Sequence, residues 1–472
     1  MAHYDLAVIG AGSTGYHAAR VASTQGKSVA LIEGGERFGG LCILRGCMPT
    51  KAMLRSGEIA QLVRESSDLG IDTSEPQINW PRIVERTTRL VEEFADYREE
   101  SANNLQGVEI IRDWATFESP ESIRLSGGSL TADRFVISTG SVPRTPKSDP
   151  SGNVPGLEET GYLTSDDVLE MTELPESMLI FGGGAVAMEF AQLFCRLAVR
   201  VTVIQRSPLV LSKIDADIAG GLMRYLAREG VQIVTDTWVE KVEIRDGMKT
   251  CTVRTEAGVE TYAANEILLA VGRQPAVTGL NCEIAGVDCE DGWVMVDDRL
   301  RTSNPNVFAG GDVVGGPAIG SHQLVHVAVR QGEIIGHNAF NRVQQQFDGR
   351  LVPEAVFTDP AIGIVGLTDE QAAQLDRPIL TAIESFEEQG KALTMGQAKG
   401  LVKMIADAGT GEILGVHILG PEGADLIHEA IVLMHFHATV HDVAAIPHLH
   451  PTLAEIMVEP AEAIIDQMNG AA

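Results

Sequence analysis

Two cysteines, Cys42 and Cys47, stand in the segment FGGLCILRGCMPTK with four residues between them. On an ideal helix, cysteines at that spacing have Cα atoms about 8.7 Å apart, from the helical rise and radius. A disulfide needs less than about 7 Å. The two can bond only where the helix is distorted or begins between them, and Gly46 gives the backbone that freedom. A bond of that kind is strained and easily reduced, which suits an electron relay. A helix N-terminus also lowers a thiol's pKa and favours the thiolate. On spacing alone, two buried structural thiols fit equally well. A metal site fits less well, because no second pair or nearby histidine completes four ligands. The other cysteines, Cys195, Cys251, Cys282 and Cys289, read as structural. His435, His437 and His441 form a second cluster, with 437 and 441 one helical turn apart. No carboxylate or cysteine completes a metal set there, so an incidental surface or interface role is expected and no metal.

The elements that must position such a pair follow a repeat. The strand DLAVIG leads into Gly10, Gly12 and Gly15, and the next strand, SVALIE, ends at Glu33. Further on, MLIFG leads into Gly182, Gly184 and Ala187, and RVTVIQ ends at Gln205. From the middle glycine to the end of the following strand is 21 residues both times (12 to 33, 184 to 205). Each half reads strand, glycine turn, helix, strand, the unit that sets a pyrophosphate on a helix N-terminus. One such turn is weak evidence; two in matched context imply two dinucleotides. Glu33 stands where an acid accepts hydrogen bonds from a ribose 2′-hydroxyl, which suits FAD. Gln205 holds the same place in the second unit and Arg206 follows it. Without a carboxylate a 2′-phosphate is not repelled, and Arg206 is placed to pair with it. Ala187 in place of the third glycine leans the same way, so NADPH is expected in preference to NADH. After about residue 345 the texture becomes strands and turns, then a helix from about Gly423, an α+β pattern with no nucleotide turn of its own.

Length and composition agree. A chain of 472 residues, 44% hydrophobic and 21% charged, has room for about three domains. Its net charge of -29 argues against nucleic acid or an anionic membrane surface as a partner. Glu189 interrupts the best apolar run, so no membrane span is expected. The opening MAHYDLAVIGAG is already strand and glycine turn, which leaves no room for a signal peptide. With cysteines this sparse, a cytoplasmic location is expected.

Taken together, the chain resembles the pyridine nucleotide–disulfide oxidoreductases, the group of dihydrolipoamide dehydrogenase and glutathione reductase, over essentially its whole length. Beside the two nucleotide fingerprints, ISTGSVPRTP at 137–146 (with Thr139 and Gly140) resembles the family's crossover motif, and TSNPNVFAGGDV at 302–313 its second flavin motif. HLHPTLAE at 448–455 resembles the segment that carries the active-site base. The resemblance implies an α/β fold with two Rossmann-like dinucleotide-binding domains and a C-terminal α+β dimerisation domain. Expected boundaries are 1–150 and 271–344 for the FAD domain, 151–270 for the NAD(P) domain and 345–472 for the dimerisation domain. It implies that Cys42 attacks the substrate disulfide, that Cys47 lies against the flavin, and that Asp312 binds the ribityl chain. Lys51 and Glu189 resemble the ion pair under the flavin, and Gly272 falls within the cofactor-binding set. His450, oriented by Glu455, is the implied acid–base. In this family that pair comes from the other subunit, which implies a homodimer. Histidine suits the task, since a leaving thiol needs a proton near neutral pH.

Several positions depart from the pattern. Leu41 and Leu44 stand where the family usually has threonine and asparagine, and the stretch from Gly315 to His326 is longer than in dihydrolipoamide dehydrogenase. Tyr16 and HPTLAE resemble that enzyme, whereas Ser13 and Arg20 fall where glutathione reductases line their substrate pocket. Glu333 replaces their glutathione-binding arginine, which argues against glutathione. AMEFAQLFCRLAVRVTVIQRS resembles mercuric reductases, without the C-terminal cysteine pair. The expected activity is FAD-dependent NAD(P)H:disulfide oxidoreduction on a lipoyl or low-molecular-weight disulfide. The alternatives are a diaphorase reducing quinones or metal ions directly from the flavin, and a docked electron-transfer subunit of a multienzyme complex.

Overall fold

A computed structural model of the chain describes residues 2–144 and 154–470. The expected boundary at 150/151 and the end of the 137–146 motif lie outside those residues. The chain divides into two compact units, one of Met1–Ala52, Arg82–Arg144 and Gly272–Gly349, the other of Met53–Pro81, Thr145–Val271 and Arg350–Ala472.

In the first unit, the run LAVI is buried on both faces, as parallel strands covered by helices require. Strand Ala2–Ile9 pairs in parallel with Val29–Glu33 on one side and Gly128–Ile137 on the other. Val108–Arg112 extends the sheet beyond Val29–Glu33, and Val307–Ala309 adds a parallel strand to Gly128–Ile137. An antiparallel hairpin, Thr116–Ser119 and Ser122–Leu125, completes seven strands. Helix Ser13–Thr24 follows the first strand and packs along helix Val325–Asn338.

The second unit holds a second nucleotide-type sheet and the C-terminal α+β layer. Its parallel sheet runs Gln232–Val234, Arg200–Ile204, Ser177–Phe181, Glu266–Leu269, Leu163–Thr164. A three-stranded antiparallel sheet, Trp238–Arg245, Met248–Thr255 and Gly258–Ala264, accompanies it. The C-terminal sheet is antiparallel, with Leu401–Asp407 and Ile413–Gly420 at its centre. Helix Gly423–His435 lies against it and the apolar core there includes Val416, Ile418, Ile427 and Ala430. Among the described residues no helix is long and apolar enough to cross a membrane.

Candidate active site

Gly10 leaves the first strand at φ 99°, and a Cβ there would sit 2.4 Å from the carbonyl oxygen of Ser138. Only glycine takes that turn without strain. Gly12 then caps helix Ser13–Thr24, and a Cβ on Gly15 would fall 1.9 Å from the oxygen of Gly10, so helix and strand touch backbone to backbone. Beside this turn Glu33 accepts from the amides of Ala11 (3.1 Å) and Gly35 (2.9 Å). Its carboxylate is thereby held at the end of its strand, at the helix N-terminus that favours a pyrophosphate.

Asp312 lies on the same unit. The Ser141 hydroxyl donates to it at 2.7 Å, and Arg273 Nε donates to that hydroxyl at 2.9 Å. Burial raises the Asp312 carboxyl above its ordinary range, and the Ser141 hydrogen bond and Arg273 oppose the shift. Gly140 and Gly272 bracket the paired strands Ser141–Pro143 and Arg273–Pro275, with Ala276 N–H bonded to Gly140 and Arg144 N–H to Gly272, both at 2.9 Å. Thr139 Oγ1 is buried and has no hydrogen-bond partner among the described residues. A buried orphan hydroxyl is costly unless something else bonds it. With the open cap at Gly12, it makes these residues fit a bound dinucleotide.

The cysteine segment is built as the spacing demands. Helix Gly40–Leu44 carries Cys42 and stops; Arg45 and Gly46 intervene; helix Cys47–Glu65 starts at the second cysteine. Gly40 approaches the first turn so closely that a Cβ there would sit 2.6 Å from the Gly12 Cα. Neither cysteine is in a disulfide. The neighbouring Cys47 thiol, and then burial, hold Cys42 well above the ordinary thiol range, while the positive charge of Lys51 acts in the opposite sense. Leu41 and Leu44 lie on the short helix with Cys42.

In the second unit the turn is repeated. Gly182 has φ 113°, and a Cβ on it would sit 2.4 Å from the oxygen of Ala270. Gly184 caps helix Ala185–Arg196, on which Ala187 and Glu189 are buried. Glu189 accepts from the amide of Phe357 at 3.0 Å. The Gln205 side chain is folded over Gly183, and its amide nitrogen donates to Leu209 O at 3.3 Å. Arg206 is exposed, its guanidinium 5.8 Å from the centre of the Trp238 ring.

The histidines at 448 and 450 have different surroundings. His448 is 8% exposed and its Nε2 lies 2.8 Å from Glu429. His450 is 79% exposed, with Nδ1 2.9 Å from Glu455 Oε1. The other oxygen of Glu455 accepts from the Thr452 amide at 2.8 Å, closing a capping box. That amide, then His450, holds the Glu455 carboxyl below its usual range. One carboxylate thus shapes the loop and orients the imidazole with its Nε2 left for a reacting partner.

Elsewhere, Arg20 pairs with Glu333 at 2.9 Å rather than standing open, and His437 pairs with Glu412 at 2.8 Å. Three features have no counterpart in the sequence reading. Ser141 and Arg273, which hold Asp312, come from segments far apart in the chain; their one common signal is a preceding glycine. Trp114 is exposed, with its indole against Gly34, where a Cβ would meet the ring at 2.5 Å. Cys282 and Cys289, read as separate structural residues, influence each other: burial first and then Cys289 push the Cys282 thiol up to about 12.

Known proteins resemble this chain over most of its length. Residues 4–332 match the family model described as pyridine nucleotide-disulphide oxidoreductase, and 352–461 match that family's dimerisation domain. A mercuric reductase of Bacillus cereus is 33% identical over 453 residues, 96% of this chain and 70% of the relative. A dihydrolipoyl dehydrogenase of Thermus scotoductus is 35% identical over 473 residues, 99% of this chain and 98% of the relative. Among solved structures, the Cu(II) complex of the HOCl-induced flavoprotein disulfide reductase RclA from Escherichia coli superposes with a TM-score of 0.86 at 27% identity, covering 98% of this chain and 100% of that one.

Proposed function

The chain belongs to the pyridine nucleotide-disulphide oxidoreductase family, and on that premise we propose that it reduces a lipoyl or low-molecular-weight disulfide with NAD(P)H through Cys42 and Cys47. The observation that carries this reading is the thiol pair itself, two free cysteines on either side of a helix break, with Gly40 of the first helix packed against Gly12. FAD, when bound, links two-electron transfer from the nicotinamide to the cysteine pair. Gly10, Gly12 and Gly15 present the helix N-terminus to its pyrophosphate, Glu33 takes the adenosine ribose, and Thr139, Gly140, Gly272 and Asp312 hold the remainder. Gly182, Gly184 and Ala187 present the second N-terminus to the nicotinamide nucleotide, with Glu189 on the same helix. Gln205 brings no carboxylate to the ribose and Arg206 supplies a cation, which favours NADPH over NADH.

Lys51 favours the Cys42 thiolate, which attacks the substrate disulfide; Cys47 then closes on Cys42 and releases the second thiol. Each leaving sulfur takes its proton from His450 of the partner subunit in a homodimer. Glu455, kept ionised by the Thr452 amide, fixes the Nδ1 proton so that Nε2 does the transfer. The reaction belongs to the cytoplasm, where the cysteines elsewhere in the chain stay reduced.

A second reading is favoured by the mercuric reductases and the Cu(II)-bound relative: metal ions or quinones reduced directly from the flavin. Lipoamide reduction with NADH and NADPH side by side, on wild type and Cys42→Ser, separates the two. The disulfide route predicts turnover that Cys42→Ser lowers by roughly a thousandfold or more. Negligible lipoamide and small-disulfide turnover by fully flavinated wild type, with metal-ion or quinone reduction surviving in Cys42→Ser, leaves the second reading standing instead.

A further inference from the structure

Glu189, Gln192 and Arg196 lie three and then four residues apart on helix Ala185–Arg196, so they share one face, and all three are buried. Each engages the same short segment, 357–359, which connects the strands Glu354–Val356 and Ala361–Gly366 of the C-terminal sheet. Glu189 accepts from the Phe357 amide at 3.0 Å. Gln192 brackets the backbone of Asp359: its Oε1 accepts from the Asp359 amide at 2.8 Å, and its Nε2 donates to the Asp359 carbonyl at 2.7 Å. Arg196 donates to the Asp359 carboxylate at 2.7 Å. Behind them stands Glu229, the last residue of helix Ala216–Glu229. It accepts from Arg196 Nε and Nη2 at 2.8 and 2.7 Å and from Gln192 Nε2 at 2.9 Å.

A network of this kind is more than a helix contact needs. Apolar side chains hold a helix against a strand connection as well, and buried ion pairs add little net stability. What a satisfied polar network adds is a single geometry. Here it fixes a stretch of main chain, and the group which that stretch presents to Glu189 is the Phe357 amide. A glutamate side chain turns about three bonds, whereas a main-chain N–H has no rotamer of its own. The Glu189 oxygen therefore sits where the amide is, and Gln192 and Asp359 decide where that is.

We propose that Gln192, Asp359 and Arg196 are positioning residues for hydride transfer, holding the Phe357 amide that aims the Glu189 carboxylate at the nicotinamide. This rests on the reading of Glu189 as the carboxylate beside the bound nicotinamide. The step moves one hydride, two electrons with one proton, from the dihydronicotinamide to the flavin, and leaves a positive charge on the donor ring. A carboxylate already in place meets that charge as it develops, without reorganisation. The C-terminal layer thereby serves the nicotinamide half-reaction as well as dimerisation.

The test is stopped-flow reduction of the full-length flavinated protein, followed by flavin absorbance, with whichever of NADPH and NADH the wild type uses. Gln192→Met keeps the volume and removes the hydrogen bonds. Its limiting rate at saturating nucleotide is expected to fall about tenfold to a hundredfold. Asp359→Ala cuts only the Arg196 end of the network and is expected to lose about threefold to tenfold. Oxidation of the reduced flavin by ferricyanide, which bypasses the nicotinamide site, is expected at the wild-type rate in both. Glu189→Gln, run in parallel, is expected to be the slowest of the three in reduction by the nucleotide. The positioning role is overturned if Glu189→Gln is slow while the other two variants are reduced at the wild-type rate. It is also overturned if nucleotide reduction and ferricyanide oxidation fall together, as a merely structural lesion would make them. A wild-type rate in Glu189→Gln removes the reading of Glu189 and the positioning role with it. Where Gln192→Met is recovered without flavin, Asp359→Ala decides by the same rates.

Discussion

Behind matching glycine turns, helix Ser13–Thr24 buries Ala18, Ala19 and Ala22, where helix Ala185–Arg196 at the same three steps buries Phe190, Ala191 and Phe194. The first helix is packed by backbone. A Cβ on Gly332 of the neighbouring helix would meet Thr14 O at 2.4 Å, and one on Gly336 would meet Ala18 O at 2.7 Å. The second is packed by side chains, with the Phe190 and Phe194 rings stacked 5.8 Å apart and a methyl tolerated at Ala187. Backbone contacts leave no rotamer to adjust, whereas aromatic side chains repack around small displacements. The rigid version suits a dinucleotide that stays, and the adjustable one a dinucleotide that comes and goes each turnover.

The largest effect that tests this contrast is an exchange at the third position of each turn. Gly15→Ala puts a methyl 1.9 Å from a carbonyl oxygen and is expected to cost about 3 kcal/mol or more, with the protein recovered without flavin. Ala187→Gly is expected to cost only about 1 kcal/mol, with flavin retained. Absorbance of bound flavin and the denaturant midpoint read both; equal losses in the two variants would break the comparison.

Next in size are the two strand-end residues. Glu33→Gln is expected to weaken FAD binding to the apoprotein roughly tenfold to a hundredfold while leaving the nicotinamide KM alone. Gln205→Glu is expected to lower kcat/KM for NADPH about tenfold relative to NADH, through repulsion of the 2′-phosphate. An FAD affinity unmoved by Glu33→Gln would remove the role assigned to that carboxylate.

The smallest effect separates the helices by pH. Five residues past the middle glycine the first carries His17 and the second Glu189. Burial, then Arg20 and Arg98, pushes His17 down to about 4. The unfolded chain therefore binds the extra proton between about 6.5 and 4, and the folded protein does not. Stability is lost as pH falls through that window. His17→Gln is expected to flatten that part of the Tm-against-pH curve, and an unchanged slope would show that His17 does not titrate out of step.

What could be read beforehand follows from which interactions are local. The glycine turns are legible because φ near 100° and a carbonyl in the way restrict the residue type at one position. Glu33 and Gln205 are legible because strand length fixes their distance from the turn. The break between Cys42 and Cys47 is legible from helix geometry only on the reading that the two bond, since two structural thiols at that spacing need none. By contrast, the Ser141–Arg273 support of Asp312 depends on pairing Ser141–Pro143 with Arg273–Pro275, and no local pattern marks that pairing. His450 is implied by the HLHPTLAE segment, whereas no local pattern shows that Glu429, a helix away, engages its neighbour His448. Lys403 lies inside the C-terminal sheet, buried and 2.8 Å from Asp217; its place in the strand Leu401–Asp407 gives no hint of the partner.

The first sheet has a consequence for synthesis. Its strand Val307–Ala309 pairs with Gly128–Ile137, so the sheet is incomplete until the ribosome has passed residue 309. By then every strand of the second parallel sheet, ending at Leu269, has already been made. At about 5–20 residues per second the nascent chain carries an unfinished first sheet for on the order of 15–60 s. The half encoded first is therefore the later of the two parallel sheets to close, and its flavin is captured after the partner sheet has emerged.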